Sequence, residues 1–258
     1  MEKEEEKKEE IKKEPEEKPE EESEKENFVI KFDKVDKFYA EDAPVLKGIN
    51  LEIKEGEFIS LVGPSGSGKS TFLKLIYAEE KPTEGNVLFG EISIATIKKS
   101  KLPAHRRNIG TIFQDFKLLP KRTAFENVAY AMEVSGFSKV EIEEDVPQIL
   151  EIVGLQNKAN KFPHQLSGGE QQKVAIARAL VNKPLVIIAD EPTGNLDPES
   201  SQDIVELLLE INKLGKTIVL ASHDKEIVDR ANKRVVALDN GKIVCDTKKG
   251  KYKVIKCT

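Results

Sequence analysis

The stretch Phe58-Ile-Ser-Leu-Val62-Gly63-Pro64-Ser65-Gly66-Ser67-Gly68-Lys69-Ser70-Thr71 decides the fold. Phe58–Val62 reads as a continuous apolar strand, and it runs directly into a glycine-rich turn. A helix is expected from Ser70 to about Ala78. Gly63 to Ser70 fit the spacing G-x-x-x-x-G-K-[ST] of a phosphate-binding loop. Glycines let the backbone curl with its N–H groups inward around phosphate oxygens. Lys69 brings a positive charge to the β- and γ-phosphates, the Ser70 hydroxyl is a ligand suited to Mg²⁺, and the helix start adds its dipole.

Two further segments extend this chemistry. Leu185-Val-Ile-Ile-Ala-Asp190-Glu191 is an apolar strand ending in two acids. Adjacent carboxylates there are costly to bury unless something uses them. The reading is that Asp190 holds Mg²⁺ and Glu191 polarises an attacking water. Leu166-Ser-Gly-Gly-Glu170 precedes an amphipathic helix. Ser167, Gly168 and Gly169 would present a hydroxyl and bare N–H groups at its N-terminus as a second anion site, and on their own they also read as a plain helix cap.

Working outward, short β-branched runs at Phe28–Phe32 and Leu51–Ile53 suggest an antiparallel opening sheet. Helices are expected over Ala124–Val134, Val140–Val153, Gly169–Asn182 and Pro198–Leu214, with a short one from Lys225. Further strands are expected ending at Thr111–Gln114 and over Leu185–Ala189, Thr217–Ser222, Val235–Leu238 and Lys242–Val244. Buried strands alternating with helices imply a parallel α/β core, and the helical block at about 115–170 looks like an insertion into it.

Residues 1–26 hold 14 Glu and 7 Lys, a net −7 against −5 for the whole chain, so residues 27–258 carry +2. This leader has no apolar face and is read as a disordered extension of the domain at 27–258. A near-neutral domain gives no nucleic-acid footprint. No apolar run approaches the roughly 18–20 residues of a membrane span, and no secretory leader is expected. Cys245 and Cys257 are too few for a disulfide framework and are read as ordinary thiols in a reducing cytoplasm. His105 and His164 are read as surface or packing residues, and Lys98–Lys101 and His105–Arg107 as solvated cationic runs.

The set Gly63–Thr71, Gln114, Leu166–Glu170, Leu185–Glu191, Gly194-Asn-Leu-Asp197 and Ser222-His223-Asp224 resembles the nucleotide-binding domain of ABC ATPases, in the family's order, over residues 28 to about 245. The resemblance implies a P-loop NTPase (RecA-like) core with an antiparallel β subdomain and an inserted α-helical subdomain. It implies Mg²⁺-dependent ATP hydrolysis with Lys69, Gln114, Glu191 and His223 as catalytic groups. Gln114 would join Ser70 and Asp190 at Mg²⁺, and His223 would contact the γ-phosphate. Tyr39 would stack on adenine, its alternative being an ordinary half-buried aromatic. Ser167–Gly169 would act on ATP held by the opposite subunit of a homodimer, with Asp197 at the interface.

Phe113-Gln-Asp-Phe-Lys-Leu-Leu-Pro120 and Arg122–Val128 are similar to the FtsE branch of that family. That branch implies an FtsX-like integral membrane partner, peripheral association with the cytoplasmic face of the cell membrane, and a role in cell division and cell-wall remodelling. Leu166–Gln172 and Ala189–Asp197 are shared with lipoprotein-releasing and macrolide-export ATPases, the alternative reading. Phe116, Leu118, Leu119 and Phe125 are apolar groups for a partner's coupling helix, or plain core.

Overall fold

The computed structural model describes residues 28–40, 43–250 and Tyr252. The acidic leader and Cys257 lie outside the described residues. In chain order the elements are β1 (Phe28–Phe38), β2 (Pro44–Lys54), β3 (Phe58–Val62), α1 (Lys69–Ile76), β4 (Glu84–Phe89), β5 (Ile92–Ser93), α2 (Leu102–Arg107), β6 (Ile109–Phe113), α3 (Ala124–Glu133), α4 (Lys139–Ile152), α5 (Gly168–Leu180), β7 (Val186–Asp190), α6 (Pro198–Lys213), β8 (Thr217–Ala221), α7 (Lys225–Ala231), β9 (Arg234–Asp239) and β10 (Lys242–Thr247).

Two sheets form. One has the order β2-β1-β4-β5 and is antiparallel throughout; the other has the order β10-β9-β3-β8-β7-β6. In the second, β9, β3, β8, β7 and β6 run parallel and β10 closes the edge antiparallel. This is a P-loop NTPase core with an antiparallel β layer and an α-helical block between β6 and β7.

Alternation along the central strands divides the interior. In β7, Val186 and Ile188 join the apolar cluster shared with α1 and the antiparallel sheet, while Ile187 and Ala189 join the cluster formed with α3–α6. All four are essentially inaccessible, and fully burying an aliphatic side chain of this size contributes about 1.5–3 kcal/mol. A strand apolar on both faces is the pattern of a sheet covered on both sides.

The helices start where their caps are. Thr123, Ser138 and Ser167 each form a reciprocal capping box with the glutamate three residues on, Glu126, Glu141 and Glu170. Asp197 caps α6 ahead of Pro198. α5 lies so close to β6 that a Cβ added at Gly110 would sit 2.5 Å from the Ala179 carbonyl oxygen.

Two expectations are corrected. Cys245 is disulfide-bonded, not a free thiol, and its side chain packs with Val62, Val228, Val235 and Ala237. The run His105–Arg107 is not simply solvated. His105 is buried with Nε2 2.9 Å from the Ile76 carbonyl oxygen and its ring edge-on to Phe89. Arg106 donates to the carbonyls of Tyr77 and Ala78, satisfying backbone acceptors left open past the end of α1.

Replacing Gly110 with valine wedges α5 away from β6. The expected loss, read from urea unfolding, is about 1–3 kcal/mol, whereas Gly136→Ala, which meets nothing within 4 Å but sits at φ 89°, loses stability only through backbone strain.

Candidate active site

The turn from β3 into α1 is built from glycines for reasons of space and conformation. A Cβ at Gly63 would stand 2.2 Å from the Leu238 carbonyl oxygen, and Gly68, at φ 107°, would put one 2.8 Å from Leu46. Lys69 is 9% exposed. Its Nζ donates to the carbonyls of Gly63 at 2.8 Å and Pro64 at 3.3 Å. The ammonium is thereby held over the loop by the loop's own backbone, and the first turn of α1 has no side-chain cap. Those free amides face the same space, which suits an anion.

That space is a cleft of about 770 Å³ lined by Pro64, Ser65, Gly66, Gly68, Lys69, Ser70, Thr71, Gln114, Asp190, Glu191 and His223, together with Val45 and Tyr252. Gly63 and Ser67 do not line it. Ser67 is buried behind the loop, its backbone carbonyl accepting from Gly241, and its hydroxyl has no partner.

Asp190 and Glu191 stand at the end of β7 beside Lys69. Burial and the neighbouring Glu191 charge push the Asp190 carboxyl above the usual range, partly offset by a hydrogen bond with Ser70 and by Lys69 and Lys74. Glu191 Oε1 is 4.0 Å from Lys69 Nζ, and its Oε2 is 2.8 Å from His223 Nδ1 and 3.3 Å from the His223 backbone N–H. Glu191 has φ 50°, a left-handed conformation that costs a non-glycine residue about 1–3 kcal/mol and persists where neighbours over-determine it. Its N–H donates to Ala221 and its carbonyl accepts from Gly194. The result is a carboxylate turned out of the strand line towards both a cation and an imidazole.

Gln114, just beyond β6, exchanges hydrogen bonds with Asn195, each amide bonded to the other residue at 3.1 Å. Tyr39 is 54% exposed. Its hydroxyl is 3.5 Å from Thr71 Oγ1, and Lys37 Nζ sits 5.0 Å from its ring centroid.

Ser167, Gly168 and Gly169 do not line the cleft of their own chain. Ser167 caps α5, Gly168 faces Leu196 and Gly169 faces Ser200. Leu118 and Phe125 pack against the core beside α3 and α4, while Phe116 and Leu119 are half-buried. Arg178 donates to the carbonyls of Phe116 and Lys117, both at positive φ, and so fixes this turn.

The sequence model of the ABC transporter family matches residues 46–194. The chain belongs to the ABC transporter family. The cell division ATP-binding protein FtsE of Bacillus subtilis (strain 168) is 53% identical over 224 residues, covering 87% of this chain and 98% of that protein. FtsE of Mycobacterium tuberculosis (strain ATCC 25618 / H37Rv) is 51% identical over 225 residues, with 87% and 98% covered. A dimeric post-hydrolysis structure of the ATP-binding cassette MJ0796, bound to ADP and Pi, aligns with a TM-score of 0.76 at 41% identity over 85% of this chain and 98% of that one. The protein is therefore an ABC ATPase of the FtsE type that binds and hydrolyses ATP. No helix among the described residues is long and apolar enough to cross a membrane.

Tyr252 was not foreseen from sequence. It reaches the ABC cleft because its backbone N–H donates to Asp229 on α7 at 2.6 Å and its ring packs beside Cys245, and a lone tyrosine in a polar tail carries no periodic signal.

Because the Asp190 carboxyl is raised in the folded state, its ionisation costs stability above the ordinary carboxylate range and costs nothing below it. Asp190→Asn is expected to raise the melting temperature of the nucleotide-free protein at pH 7 while removing hydrolysis. The gain should vanish as the pH falls towards about 4; calorimetry across that range checks it.

Proposed function

We propose that Lys69, Glu191 and His223, with Gln114 beside them, perform ATP hydrolysis in the β3–α1 cleft of a homodimer that engages an FtsX-like integral membrane partner. The carrying observation is Glu191. Its carboxylate stands 4.0 Å from the Lys69 ammonium and 2.8 Å from the His223 ring, at the mouth of a phosphate-shaped loop.

In this reading the loop amides of Ser65–Thr71 and Lys69 bind the β- and γ-phosphates. Tyr39, exposed at the Thr71 side, stacks on adenine. Glu191 orients the attacking water and accepts its proton at the carboxylate. His223, held by Glu191, steadies the γ-phosphate. Positioned charge of this kind carries most of phosphoryl-transfer catalysis.

Mg²⁺ suits the donors present. No group of three or more His, Cys, Asp or Glu among the described residues could hold a metal. The half-buried Asp190 carboxylate and the Ser70 hydroxyl supply only part of a shell, as expected for Mg²⁺ completed by substrate phosphates and water. Ser70, Asp190 and Gln114 would hold the ion, which when bound neutralises phosphate charge.

The position of the α5 tip supports a homodimer. Ser167 is exposed, Gly168 half-buried and Gly169 buried at a helix start outside their own cleft, and in this reading they serve ATP bound by a second copy, with Asp197 at the junction. The MJ0796 cassette is dimeric in its ADP- and Pi-bound structure. ATP then adds contacts only to the closed pair and shifts an open–closed equilibrium. The helical block at about 115–170 passes that movement to the membrane partner, with Phe116 and Leu119 as its half-buried apolar contacts. The FtsE relatives are named cell division ATP-binding proteins, which supports a role in cell division; the reading adds cell-wall remodelling as the output and the cytoplasmic face of the membrane as the place.

Glu191→Gln is expected to bind ATP and accumulate a stable dimer on gel filtration, with hydrolysis falling about a hundredfold or more. Hydrolysis at the wild-type rate would remove Glu191 from the water-activating role. Isolation of an integral membrane protein with the full-length chain tests the partner.

A further inference from the structure

We infer that Gln172, one turn into α5, is a positioning residue that holds the Gln114 turn, the Glu191 turn and the α5 tip together as one unit. The inference rests on the reading of Glu191 as the water-activating carboxylate.

Gln172 is fully buried, with no accessible surface. Its amide Nε2 donates twice, to the Phe113 carbonyl at 3.3 Å and to the Pro192 carbonyl at 2.7 Å. Phe113 is the last residue of β6 before Gln114, and Pro192 directly follows Glu191. Phe113 pairs in register with Asp190 across β6 and β7. A single side chain therefore spans the ends of the two strands that deliver Gln114 and Glu191 to the cleft.

The acceptor side of the same amide is unpaired. Oε1 is buried with no hydrogen-bond partner, an arrangement that calls for a reason. The amide orientation is set by the two carbonyls, since turning it over would point Oε1 at two acceptors. A side chain needed only to fill space here would be apolar and leave no orphan. A glutamine is required where one planar group must supply two donors.

The neighbouring contacts show what is being held. Gly169, on the same helix turn, allows Ser200 to approach so closely that a Cβ would be 2.9 Å from its hydroxyl. Gly194, in the loop after Glu191, lies against Gln114, where a Cβ would be 2.7 Å from Nε2. Asn195 is bonded to Gln114 on both sides of its amide. Gln172 is the buried pin of this junction. Glu191 depends on it because its own backbone is left-handed and stays there only through its surroundings.

Phosphate binding lies elsewhere. The Lys69 ammonium is bonded to the Gly63 and Pro64 carbonyls, whereas the Gln172 amide is bonded to those of Phe113 and Pro192. Loosening Gln172 is therefore expected to misplace Glu191 without weakening the grip on nucleotide.

The test uses Gln172→Met in the full chain, because methionine matches glutamine in length and removes the orphan acceptor while withdrawing the donor from the Phe113 and Pro192 carbonyls; a wild-type circular-dichroism spectrum establishes that the variant is folded. Affinity for a fluorescent ATP analogue should stay within about twofold, KM should hold, and kcat should fall about ten- to a hundredfold, the range that sub-ångström to ångström misplacement of a reacting group produces. Gln172→Glu, which sets carboxylate oxygens against both carbonyls, should lose at least as much; if it does not fold, the methionine variant decides. Wild-type kcat in folded Gln172→Met would overturn the inference. A parallel fall of kcat, ATP affinity and melting temperature would also overturn it, because that is the pattern of a structural prop. A wild-type chain without ATP hydrolysis, or an unimpaired Glu191→Gln, would instead defeat the reading of Glu191.

Discussion

The turn that carries β3 into α1 is the constraint on which the rest depends. Its backbone has to leave a buried strand, reverse its amides towards one point and enter a helix with no cap on the first turn. That is possible only because glycines stand where Leu238 and Leu46 leave no room for a side chain, and because Lys69 bonds the loop's own carbonyls. A helix start left open in this way is unfavourable for folding and favourable for an anion. The two apolar clusters on either face of the parallel sheet supply the stability that lets it persist.

The remaining chemistry is arranged around that point by strand order. β3, β8, β7 and β6 are successive neighbours, so the residues just past their ends converge: the phosphate loop after β3, His223 after β8, Glu191 after β7 and Gln114 after β6. Each would be unremarkable alone. Together they place a carboxylate between a cation and an imidazole, with an amide beside it. The α5 tip is the exception, since it is built on the same chain but faces away from this cleft. In the proposed homodimer, each copy would supply what the other lacks.

Much of this was legible in the chain because the phosphate loop and the two acids impose local patterns. β3, α1 and β7 fall within about two residues of their expected bounds, since a buried strand entering a glycine turn admits few readings. The helices expected over Ala124–Val134 and Val140–Val153 fall equally close, at Ala124–Glu133 and Lys139–Ile152. β4 was missed because Gly85 and Gly90 frame a short run, Val87–Phe89, with one apolar face. α2 was missed because it has six residues and buries only His105. β1 runs six residues further than its apolar start suggests, through an irregular register past Phe32. At the site, the residue types were readable but three properties were not: the left-handed backbone of Glu191, the double donation by Gln172 and the reach of Tyr252 into the cleft. All three depend on partners distant in sequence, where neither spacing nor composition leaves a mark. The disulfide at Cys245 is likewise not written in spacing or composition.

The most direct measurement is a crystal structure of the full chain with Mg²⁺ and a non-hydrolysable ATP analogue. The account predicts a two-fold pair in which each triphosphate touches Lys69 of one copy and Ser167–Gly169 of the other, with a water between Glu191 and the γ-phosphate. A nucleotide seated in the cleft with the second copy's α5 tip remote in every packing, or with Glu191 turned away from the γ-phosphate, would contradict it.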